Sequence, residues 1–141
     1  DHNDTVMRSL VPTIQRLKEA GVSKIIVVGP SPQWLSPLPN LLVKELRRTR
    51  AANVPERTYQ YFDQSVVAVD ETIKTQLQNL DDVVYFSALK AMCNKTGCLT
   101  TVNGRADGLT TWDEGHLTTP GALYLAQKLA ELTGGLGAEG R

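Results

Sequence analysis

Asp113 and His116 stand three residues apart in the stretch 110–120, TTWDEGHLTTP. The only other histidine of the chain is His2, at the N-terminus. Imidazole is the side chain suited to moving protons near neutral pH, so acid–base chemistry in this protein falls to His116. A carboxylate beside it can hold Nδ1–H, fix the tautomer and leave Nε2 to take a proton from a hydroxyl. That is the acid–base half of a Ser-His-Asp triad, with Asp113 as the orienting group. The same spacing also arises where an acid and a histidine merely cap the helix that follows, and spacing alone leaves both readings open. A metal site would need a third ligand, and none lies nearby in the sequence.

Several elements must position this pair. Downstream, Thr119 is expected to cap a helix with Pro120 at its first position. Ala122, Leu125, Ala126, Leu129 and Leu132 would form its buried stripe. Upstream, 99–102 and 109–112 read as hairpin strands turned at Asn103-Gly104 or Asp107-Gly108. Two short β-branched or aromatic runs, 24–28 and 83–86, read as strands buried on both faces, as in a parallel sheet. A helix is expected over 4–20, with Val6, Leu10, Ile14 and Leu17 inward, Asp4 as cap and Gly21 as stop. Pro12 would kink it or delay its start. A second helix over 41–50 carries Lys44, Arg47, Arg48 and Arg50 toward its C-terminal end, where cations suit the helix dipole. A third, over 61–80, turns Phe62, Val66, Val69, Ile73 and Leu77 inward.

Between the first strand and the second helix runs GPSPQWLSPLPN, residues 29–40, with prolines at 30, 32, 37 and 39. Proline fixes φ in advance, so this loop is stiff. Loops at the carboxyl ends of parallel strands form ligand crevices, so this one reads either as a wall of the site or as a connection whose Trp34 packs on the core. Strands alternating with amphipathic helices give an α/β fold with a parallel sheet. Two strands are too few to complete it, and the missing part is expected upstream of Asp1. Residues 1–133 read as one portion of a single domain, and the Gly-rich 134–141 as a disordered tail.

Fifteen basic and fifteen acidic residues cancel, leaving no field to attract nucleic acid. No apolar run approaches bilayer length, and the residues from Asp1 onward show no signal-peptide pattern, so any localisation signal is expected upstream. Cys93 and Cys98 in CNKTGC can close a local disulfide or stand as two free thiols. They lack partners for zinc and the C-x-x-C spacing of redox sites. A disulfide would imply an oxidising compartment. No metal or cofactor is expected.

Three separated motifs, KIIVVGPSPQW, CNKTGCLT and TTWDEGHLTTPGALYLA, occur in an order that resembles the C-terminal SGNH-hydrolase-like domain of the acyltransferase-3 family, over residues 24–129. The resemblance implies a flavodoxin-like three-layer sandwich on the periplasmic face of the bacterial inner membrane, fused to a membrane domain that delivers an acyl donor. It implies O-acylation, usually O-acetylation, of a surface glycan such as lipopolysaccharide. Asp113 and His116 carry over as catalytic residues and Cys93 with Cys98 as the disulfide. Gln33 and Trp34 carry over as substrate-binding residues of a loop near the site. The chain departs from the pattern in one respect: it has no Gly-Asp-Ser. Ser31 follows a strand, but prolines flank it, and Pro32 lacks the N–H that a nucleophile elbow offers an oxyanion. The serine is therefore expected in the upstream half of the same domain. The alternatives are a carbohydrate esterase, or a non-catalytic glycan-binding or scaffold domain. A nucleotide binder ranks last, since neither strand is followed by a Gly-rich loop.

Overall fold

The computed structural model describes residues 2–134, with side chains from Met7 onward. The expected tail beyond Gly134 and the side chain of Asp4 lie outside the described residues. The elements run α1 (His2–Glu19), β1 (Ile25–Val28), α2 (Leu38–Thr49), β2 (Arg57–Thr58), α3 (Ser65–Leu77), β3 (Val83–Phe86), α4 (Ala88–Met92), β4 (Cys93–Asn94), β5 (Gly97–Leu99) and α5 (Thr119–Leu132), with a short 3-10 turn at Ala106–Gly108. β1 and β3 pair in parallel, Ile25 beside Val83 through Val28 beside Phe86. Helices α2 and α3 make the crossover between them, which identifies an α/β fold with a parallel sheet.

Alternation along these strands separates two faces. Ile25, Val27, Val83 and Tyr85 join Ile14 of α1 and Ile73 and Leu77 of α3 in one core cluster. The opposite face is only partly covered: Phe86 is buried, but Val28 is 47% exposed and Val84 39%. The strands are thus buried on one face rather than on both, because within this chain helices α1 and α3 cover only that side. The stripe of α5 departs from expectation in the same way. Ala122 and Ala126 are exposed and Leu132 is 57% exposed, so much of the apolar surface of this helix has no partner among the described residues.

A second core lies beside the sheet. Trp34, Leu38, Leu41, Leu42, Phe62, Val66, Leu89 and Cys98 form it, and Trp34 meets Phe62 edge to face at 6.3 Å. An antiparallel sheet, β2-β5-β4, closes this core, with Cys93 directly opposite Cys98 and joined to it as a disulfide. Full burial of each of these large side chains stabilises by about 1.5–3 kcal/mol.

Local chemistry explains the shifted boundaries. α3 begins at Ser65 rather than near 61, because Tyr61 takes a left-handed φ of 65° that no helix admits. Residues 61–63 instead bond to the proline-rich loop, Leu35 N–H to Tyr61 C=O at 2.9 Å and Asp63 N–H to Gln33 C=O at 2.9 Å. α1 continues through Pro12 to Glu19. The hairpin expected over 99–112 exists as a narrow ladder, with Thr110 N–H bonded to Thr100 C=O and Val102 N–H to Gly108 C=O, both at 2.9 Å. Its connection spans 103–108 and not two residues. The Asn103 side chain organises that loop, accepting from Arg105 N–H at 2.9 Å and donating to Asp107 at 3.0 Å. The cap of α5 is Thr118, one residue before the expected Thr119; its hydroxyl accepts from Gly121 N–H at 3.1 Å.

Candidate active site

The chain reaches the site through a tight hairpin. Thr110 is fully buried, and its hydroxyl donates to the Leu99 carbonyl at 2.9 Å. Thr111 bridges Leu117, Trp112 N–H bonds to His116 C=O at 3.2 Å, and Thr118 N–H to Thr110 C=O at 2.9 Å. Asp113, Glu114 and Gly115 are therefore the three-residue tip of a β-hairpin whose far strand runs straight into α5. The tip is closed from inside by one carboxylate. Oδ1 of Asp113 accepts from Gly115 N–H at 2.9 Å and His116 N–H at 2.7 Å, while Oδ2 meets His116 Nδ1 at 2.6 Å.

The proline-rich loop holds the same tip from outside. Leu38 N–H, a first-turn donor of α2 without an intrahelical partner, bonds to Asp113 C=O at 3.1 Å. Trp34 N–H bonds to Glu114 C=O at 2.8 Å, and Ser31 Oγ donates to Gly115 C=O at 3.2 Å. Three consecutive carbonyls of the tip are thus held by one stiff segment. Gln33 lies over Gly115 so closely that a Cβ there would fall 2.1 Å from its side-chain oxygen, so any larger residue would push the Gln33 amide away from the tip. Gly29, where the loop leaves β1, makes room in the same way for Tyr85, whose hydroxyl donates to buried Asp70 at 2.6 Å. The Ser87 hydroxyl also reaches both oxygens of Asp70 at 2.9 Å. This buried group ties α3 to the carboxyl end of β3, close beside Gly29 at the end of β1.

The two backbone N–H bonds, that of Gly115 foremost, together with His116 hold the Asp113 carboxyl below its ordinary range, against a smaller opposing effect of burial. Asp113 is therefore an anion at neutral pH, aimed at Nδ1. The His116 side chain is 78% exposed, and its Nε2 makes no hydrogen bond among the described residues. With Nδ1–H held by the carboxylate, Nε2 is the atom that can accept a proton and return it. A small hollow of about 190 Å³ opens at this point, lined by Gln33, Asp113, Glu114, Gly115 and His116.

The profile of the family described as "SGNH domain (fused to AT3 domains)" matches residues 1–131. The chain belongs to this family. The solved structure titled "Structure of Salmonella ser. Paratyphi A lipopolysaccharide acetyltransferase periplasmic domain" is similar at 30% identity and a TM-score of 0.83, over 93% of this chain. The chain spans about half the length of that structure. No curated protein matches the sequence.

Within this SGNH domain the residues singled out by sequence fall in three places. Asp113, His116 and Gln33 come together at the hollow. Trp34 does not: its indole is 3% exposed and sits in the core, while its backbone N–H holds the tip. Cys93 and Cys98 form the disulfide of the neighbouring hairpin, which Arg57 steadies through Met92 C=O at 2.6 Å. Ser31 comes near the tip, yet its hydroxyl points into the Gly115 carbonyl and not at His116. Sequence reasoning missed Trp112, which is 62% exposed and stacks on His116 with centroids 5.5 Å apart and planes at 22°. Its signal in the sequence is an aromatic directly before the acid, which the strand pattern of 109–112 masks. Asp70 was missed as well; it is a polar residue on the inward stripe of α3, buried between Val66 and Leu77.

Proposed function

We propose that this SGNH domain supplies the acid–base half of an acyltransferase that O-acylates, most often O-acetylates, a cell-surface glycan. The observation that carries the reading is the 2.6 Å contact of Asp113 with His116 Nδ1, which leaves Nε2 turned to an open, polar hollow. In the reaction, Nε2 takes the proton of a serine hydroxyl as its oxygen attacks the acyl carbonyl. The departing group of the donor leaves with that proton, and the acyl group stays on serine. A sugar hydroxyl then gives its proton to Nε2, attacks the acyl-enzyme and releases the serine. The Asp113 anion stabilises the imidazolium in both steps. Transfer prevails over hydrolysis when the acceptor is positioned better than water.

The serine is assigned to a segment outside this chain, packed on the bare sheet face. Support comes from the Ser31 hydroxyl bonded away from the site and the uncovered Val28, Val84 and Leu132. The relative's greater length agrees with it. The acyl donor would be handed over by a fused membrane domain, in keeping with the family's description. The disulfide and the relative's title favour the periplasm, with the native protein held at the inner membrane. Among the described residues no helix is long and apolar enough to cross a membrane. A scaffold that kept the fold is the second reading, and the same turned-away Ser31 favours it.

The test is acylation by the native protein. His116→Ala lowers it at least about 10³-fold, with stability unchanged within about 0.5 kcal/mol because the ring is mostly exposed. Unchanged acylation removes His116 from the mechanism and leaves the scaffold. The 141-residue chain by itself shows no ester hydrolysis; turnover abolished by Ser31→Ala would instead place the nucleophile in this loop.

A further inference from the structure

The two tryptophans of this chain have opposite surroundings. Trp34 is enclosed in the core, whereas Trp112 stands 62% exposed and stacks on His116, which lines the hollow. A bare indole is the largest apolar surface a side chain can offer to water, and exposed aromatics beside polar clefts mark binding sites. Trp112 is also not free to drift. Its backbone is locked in the hairpin by the bond to His116 C=O, and one side of its ring lies against the imidazole. With centroids 5.5 Å apart the two rings are offset, so a flat ligand on the part of that indole face left uncovered by the imidazole lies alongside His116.

We infer that Trp112 is the platform for the acceptor, and that the acceptor is an uncharged sugar ring. This deepens the acyl-transfer reading and rests on it. A pyranose has an apolar C–H face that suits an indole and a rim of hydroxyls that needs partners. The hollow provides those partners: the Gln33 amide, which both donates and accepts, and the exposed Glu114 carboxylate. A protein segment packing here would meet polar side chains around a single aromatic, which is the composition of a ligand site and not of a domain core. The charge of the lining fixes the second half of the inference. Asp113 and Glu114 line the hollow with no lysine or arginine among its lining residues, so a ring bearing a carboxylate or phosphate is repelled.

The experiment uses the native protein, an acetyl donor, and methyl α-hexopyranoside or the matching methyl uronate as acceptor. Acetyl transfer to sugar and acetate release to water are measured together. Trp112→Ala lowers kcat/KM for the hexopyranoside about tenfold, mainly through KM, and lowers the ratio of transfer to hydrolysis by a similar factor. Trp112→Phe recovers most of that ratio. The wild type prefers the hexopyranoside to the uronate several-fold at low salt, and Glu114→Gln narrows the preference. Loss of transfer and hydrolysis in equal proportion by Trp112→Ala, with a lower melting temperature, would show that another protein segment covers the indole and overturns the platform. An unchanged ratio overturns it too, and equal use of the uronate overturns the charge rule. A wild type that releases acetate through His116 but acetylates no sugar sinks the transferase reading itself, an outcome distinct from all of these.

Discussion

The hairpin tip and the parallel strand pair belong to one fold but are finished to very different degrees. At the tip, the carbonyls of residues 113–115 all accept bonds from the proline-rich loop and α2, and both oxygens of Asp113 are occupied. Beneath it lies a closed core built around Trp34 and bounded by the disulfide hairpin. The β1–β3 pair, in contrast, is covered on one face only, and Val28, Val84 and Leu132 face outward. The lesson is that the geometry of the acid–base pair is set entirely within this chain. The bare face is where the proposed serine-bearing segment would pack.

The sharpest way to break the finished region is Trp34→Ala. It removes the centre of the closed core and is expected to destabilise by about 3–5 kcal/mol, read from denaturant midpoints. A loss below about 1 kcal/mol would show that this core is not what holds the loop. Next in size, Cys93→Ala with Cys98→Ala opens a short loop and costs roughly 2 kcal/mol, measured by the shift in melting temperature without reductant. For the unfinished region the expected effect is smaller still. Val84→Ser changes the stability of this chain by less than about 0.5 kcal/mol, but costs more in the native protein, where that face would be covered. Equal effects in the two would mean that nothing docks there.

The smallest effect is on pH dependence. Asp63, bonded to Ser65, and Asp113, bonded to Gly115 and His116, both have carboxyls held below the ordinary value. Their folded forms therefore bind protons less readily than the unfolded chain. The stabilisation they give is complete above about pH 4 and fades as pH falls through their lowered folded values. Asp113→Asn should flatten that acid limb slightly; an unchanged limb would show that the pair does not contribute.

Much of this was legible in the residues. The β-branched runs at 25–28 and 83–86 announced a parallel pair, because period and composition are local properties. D-x-x-H indicated the contact of Asp113 with His116, since three residues on a turn keep two side chains within reach. The paired cysteines gave the disulfide. Other features are decided at a distance. Tyr61 ends the α3 pattern early because its backbone serves the loop at 33–35, a partner no window on residues 61–80 contains. Periodicity placed a helix at α5 but expected its apolar stripe to be buried, and among the described residues nothing covers much of it.

The chain's own chemistry thus determined which side chains can move a proton, which can cross-link and which segments are helix or strand, since each follows from neighbours along the backbone. Only the tertiary structure decided that the proline-rich loop holds the 113–115 carbonyls and that Trp34 is enclosed while Trp112 stands open. It also decided that Ser31 turns its hydroxyl away from His116. Those outcomes depend on contacts between residues some eighty positions apart, where direction and burial, and not residue type, set what a side chain does.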